Sequence, residues 1–113
     1  MNHLVIGGFI PFAIGLAWRI GRRRGGLGFV IAWPLVTWLC MIFAVAPDLP
    51  RLFGATELYN RLALDPRCDI FFWHYSIDKN ERPTLLYPAA FAAILAAQLF
   101  TVWLELRLSE KER

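Results

Sequence analysis

Gly21-Arg22-Arg23-Arg24-Gly25-Gly26 separates two long apolar runs, residues 4–17 before it and residues 27–46 after it. Three adjacent guanidiniums cannot rest in hydrocarbon, where a single charge at the centre of a helix already costs about 2.5–3.5 kcal/mol on the insertion scale. The stretch therefore marks where the chain leaves a bilayer and turns back. It predicts two membrane spans joined by a short turn over residues 21–26.

Composition agrees with this reading. Of 113 residues, 58% belong to the apolar set and only 19% are charged, which places the chain outside the soluble globular class. A span needs about 20 residues to cross a hydrocarbon core about 30 Å thick, so the length accommodates three spans and no separate soluble domain. We expect an all-α integral membrane protein, a single membrane domain of three transmembrane helices over residues 3–20, 27–46 and 85–106. A structured outer loop, residues 47–83, joins helices two and three, and residues 107–113 form an inner tail.

The net charge of +3 is dispersed except at the triple arginine, so it reads as topology and not as a nucleic-acid surface. Seven basic residues flank the spans on one side: Arg19, Arg22, Arg23, Arg24, Arg107, Lys111 and Arg113. Five are spread through the longer loop on the other side: Arg51, Arg61, Arg67, Lys79 and Arg82. The positive-inside rule then sets the N-terminus outside and the C-terminus inside, most simply in a bacterial inner membrane. Residues 1–20 lack a leading positive region and read as a retained anchor. Arg22, Arg23 and Arg24 are expected at anionic lipid headgroups, with Trp18 at the interface and Arg19 snorkelling outward beside it.

Within the spans, small residues and stray polar groups indicate packing. Gly8 and Gly15, seven apart, share one face of span one. Span two carries Trp33-Pro34 and a mid-span Trp38. Tryptophan prefers the interface, so Trp33 and Trp38 are expected on a protein or cofactor surface, while Thr37 is placed to compensate for the donor that Pro34 lacks. Ala89, Ala93 and Ala97 make a small-xxx-small ladder in span three, with Ala92 and Ala96 on an adjacent stripe and Gln98 beside it as interhelical glue.

The loop holds five basic and six acidic residues, and Pro47, Pro50 and Pro66 cut it into pieces. Residues 56–64 read as a short amphipathic helix. Asp69-Ile70-Phe71-Phe72-Trp73-His74-Tyr75 is an aromatic cluster too short to span, so Phe71, Phe72, Trp73 and Tyr75 are expected to contact lipid or a partner. Residues 78–83 read as a polar turn back to the membrane.

No catalytic constellation is present: the chain has no glycine-rich phosphate loop, no Cys-x-x-Cys and no nucleophile elbow. Its two histidines, His3 and His74, fall on the outer side, so this chain alone does not supply an intramembrane haem b site. Cys40 in an apolar run and Cys68 in the loop are not expected to pair. Asp65, Cys68, Asp69 and His74, joined by His3, come nearest to a metal site, but their spacing matches no motif of known geometry, and no metal or cofactor is assigned. Asp69 is expected simply to face water.

The expected function is that of a non-catalytic accessory subunit of a larger integral membrane complex, respiratory, photosynthetic or transport. Its partners are membrane lipids and other integral subunits, and its helix crevices leave room for a lipid, quinone or pigment. The alternative is a self-assembling pore-former, because the chain resembles phage holins in size, span number and orientation.

Overall fold

The computed structural model describes residues 2–70, 73–80 and 84–111, and every regular element among them is helical. Three helices are long and apolar enough to cross a membrane: α1 (Asn2–Arg22), α2 (Gly26–Val45) and α6 (Leu86–Glu110). By length and composition the chain is therefore a multi-pass membrane protein, elongated at 58 × 26 × 24 Å. Its side chains are distributed for a hydrocarbon solvent. Ile14, Leu27 and Leu99 point outward, while His3, Thr37, Gln98, Thr101 and Glu105 are buried. Polar groups kept inside a bundle avoid the penalty of meeting lipid.

α1 and α2 pack along their length, and glycines permit it. A Cβ on Gly7 would stand 2.5 Å from the Ala44 Cβ and 2.8 Å from the Cys40 carbonyl oxygen. On Gly8 it would overlap Met41, and on Gly15 the ring of Trp33. Gly8 and Gly15 thus both lie in the α1–α2 seam, with Gly7 as a third member. Missing side chains let backbones approach closely, which is how membrane helices gain dispersion contacts without a hydrophobic driving force between them. Val5, Met41 and Ile94 form the apolar core, backed by Phe12, Trp38, Tyr87 and Phe91.

Pro34 removes the donor that would have met the Val30 carbonyl. Thr37 does not replace it. Its hydroxyl donates at 2.8 Å to the carbonyl of Trp33, one helical turn behind itself, which is the backbone acceptor a helical threonine reaches.

The end of α2 also differs from expectation. Pro47 and Pro50 do not cut the helix, because each stands in the first turn of a new helical piece, where proline's fixed φ is compatible. A 3₁₀ turn (Ala46–Asp48) and α3 (Leu49–Leu52) carry the helical path onward, and the chain reverses only at Gly54, whose φ is +78°. α4 (Thr56–Leu64) forms with the expected bounds. A 3₁₀ turn (Pro66–Cys68) follows, and then α5 (His74–Asn80), so residues 78–80 are helical and not a turn. Residues 81–83 lie outside the described residues.

α6 turns one heptad-spaced edge to the bundle: Tyr87, Phe91, Ile94, Gln98, Thr101 and Glu105, at alternating steps of four and three. It touches α1 and α2 more sparsely than they touch each other.

Candidate functional site

Two polar clusters close the two ends of the bundle. At the end that bears the arginine turn, Arg19 of α1 ion-pairs with Glu105 of α6, and the Glu105 Oε2 accepts the Gly26 amide of α2 at 3.1 Å. One carboxylate thereby ties all three long helices. The side chains of Arg19 and Glu105 are 12% and 3% exposed, so Arg19 does not snorkel outward as its position suggests. Each partner supplies the charge that makes burial of the other tolerable, and the amide at the start of α2 adds a donor where the helix dipole favours an anion. Outside this clasp, Trp18 stacks on Phe29 at 5.1 Å and the Arg22 guanidinium lies 5.4 Å from the Trp18 ring centre. Arg22, Arg23 and Arg24 are all exposed.

At the opposite end the two histidines meet. His3 of α1 and His74 of α5 stack with ring centres 3.9 Å apart and an interplanar angle of 31°. His74 is fully buried, its Nδ1 3.0 Å from the Ala44 carbonyl oxygen and its Nε2 3.3 Å from Asp48 Oδ1. Tyr75 is also buried, edge-on to His74 at 5.3 Å and to Tyr59 at 5.6 Å, and Arg51 covers Tyr59 at 5.3 Å. The arrangement pins the loop to the ends of α1 and α2.

The metal-like set drawn from sequence is not assembled. Asp65 accepts from the backbone N–H and Nε of its neighbour Arg67, Cys68 is a half-buried free thiol, and His74 faces His3. Among the described residues no three His, Cys, Asp or Glu side chains converge as metal ligands. Nor does Asp69 simply face water. It accepts the Tyr75 backbone N–H at 3.0 Å and the Ser76 hydroxyl at 2.5 Å, holding the first turn of α5.

These donors leave a pH signature. The Ser76 hydroxyl, ahead of other influences, holds the Asp69 carboxyl below its usual range; the Tyr75 N–H and the Lys79 charge act in the same direction, and partial burial opposes them. A carboxyl lowered in the folded state contributes stability that is full above the ordinary aspartate range and is lost as pH falls through the lowered value. Amide exchange in α5 should therefore be flat near pH 5 and accelerate below about pH 4, whereas Asp69→Ala should exchange about fivefold faster at every pH above that. Hydrogen–deuterium exchange of the Tyr75 and Ser76 amides reads both.

The residues singled out for partner contact divide into two groups. Trp33 is buried, with Nε1 donating to the carbonyls of Pro11 and Phe12 at 3.2 Å each. Trp38 is half-buried, edge-on to Phe91 at 5.8 Å; Gln98 sits in the α6 seam; Tyr75 lies under the loop. Ala89 and Ala93 are exposed, Ala97 is half-buried, and Trp73 is 64% exposed. Phe71 and Phe72 lie outside the described residues. Reading residues singly misses the Arg19–Glu105 clasp and the histidine stack, but a signal for both was present. Arg19 and the lone in-span acid Glu105 fall at the same end of their helices, as the two histidines do at the other.

The fold and its clusters define a small multi-pass helical membrane protein whose polar side chains face one another. The chain matches no family model, no curated protein and no solved structure.

Proposed function

We propose that the chain is a non-catalytic accessory subunit of a larger integral membrane complex, with its N-terminus outside and its C-terminus inside, as its Lys and Arg asymmetry implies, in a bacterial inner membrane. The observation that carries this reading is the outward face of α6. Ala89, Ala92, Ala93 and Ala96 are exposed there, while the heptad edge of the same helix packs on α1 and α2. A smooth alanine surface offers lipid little to pack against, but it lets another helix backbone approach closely. Exposed Trp73 and Ile70 extend the contact surface onto the loop. The arginine turn contacts anionic headgroups.

Extraction of the tagged chain in mild detergent tests the proposal. It should come out at fixed stoichiometry with larger, different polypeptides. Ala93→Leu should weaken that association by about tenfold or more by overfilling the contact, while its helicity and thermal unfolding stay those of the wild type. Recovery only as a free chain would refute the proposal. Recovery only as a homo-oligomer, with loss of the membrane barrier on expression, would establish the self-assembling pore instead.

A further inference from the structure

His74 presents two ring nitrogens to two oxygens, the Ala44 carbonyl at 3.0 Å from Nδ1 and Asp48 Oδ1 at 3.3 Å from Nε2. A carbonyl only accepts, so Nδ1 is the donor in that contact. A carboxylate also only accepts, so Nε2 must carry hydrogen as well for its contact to attract. The site is thus shaped for an imidazolium, held between Asp48 and the last turn of α2, where the helix dipole favours a cation. The His3 ring lies across its face at 3.9 Å. That stack tolerates one positive charge and opposes two.

We infer that His3 and His74 form a pH-sensitive latch, which holds α5 against the end of the bundle near neutrality and releases it on acidification. The groups around the pair act together. A second proton on the stack sets like charges face to face, and a proton on Asp48 removes the anion that balances them. Tyr75 on α5, Tyr59 on α4 and Arg51 on α3 surround the pair as well, and none of these side-chain types changes charge between pH 7 and 5. Release exposes the Tyr75 ring and frees the loop that carries Trp73. The latch belongs to the chain alone and stands apart from any partner.

The chain has two histidines, so selective ¹⁵N labelling of both in the full-length protein in lipid nanodiscs reads their charge directly. At pH 7 one ring should be doubly protonated and the other neutral. Between pH 7 and 5 the second ring should take its proton, and α5 amide exchange, corrected for intrinsic rate, should rise about tenfold. His3→Phe keeps a flat ring that cannot charge, and α5 should stay protected at pH 5. Two neutral rings at pH 7 would overturn the inference, as would unchanged α5 protection down to pH 5 in the wild type. So would a folded His3→Phe chain that opens with acid as the wild type does; the wild-type titration decides alone if that variant does not fold.

Discussion

Glu105→Ala should destabilise the bundle by about 3–5 kcal/mol, because it leaves the Arg19 guanidinium buried with no opposing charge. Three helices lose a tie at once: the ion pair from α1 and the Gly26 amide of α2 both end on this carboxylate. Reversible unfolding of the chain in mixed micelles, followed by helical circular dichroism, measures the loss. The double variant Arg19→Ala/Glu105→Ala should be less destabilised than either single one, since no uncompensated charge remains inside. Glu110→Ala provides the comparison. Glu110 also pairs with an arginine, Arg107 at 3.7 Å, but both side chains are more than 60% exposed, and its removal should shift stability by no more than a few tenths of a kcal/mol. Equal effects at Glu105 and Glu110 would mean that the buried clasp is not what holds α6.

The three long helices were legible because the cost of charge in hydrocarbon is large and local, so Arg22-Arg23-Arg24 and the apolar runs around it permit few arrangements. α4 was legible from its amphipathic spacing. The loop was harder to read, for two reasons. Proline is a breaker within a helix but a good first-turn residue, and only the continuing path of α2 shows that Pro47 and Pro50 have the second role. An aromatic run carries no period that tells which rings turn inward. His74 and Tyr75 are buried by the ends of α1 and α2, whereas Trp73, one residue earlier, is exposed. Arg19 illustrates the same limit within a span. A lone arginine at a helix end normally snorkels, and its turn inward depends on an acid 86 positions away at the same level of the bundle.

Gly15→Ala should cost about 1–3 kcal/mol, an unusual penalty for adding one methyl group to a helix whose intrinsic propensity it would improve. The methyl group would fall within the Trp33 ring, and that ring cannot easily move aside. Its Nε1 donates to the carbonyls of both Pro11 and Phe12, and its face is stacked between Phe12 at 5.5 Å and Phe29 at 5.0 Å. The missing side chain also uncovers those carbonyls, since a helical residue shields the turn N-terminal to its own Cα. The glycine thus provides both the space for the indole and access to its acceptors. Trp33→Ala should lose more, about 3–5 kcal/mol, by leaving a cavity between α1 and α2. Combining the two separates steric conflict from propensity. Once the ring is gone, the Gly15→Ala methyl group meets open space, so the double variant should be no less stable than Trp33→Ala alone. An additive double variant would show that Gly15 serves α1 by itself and not the α1–α2 seam.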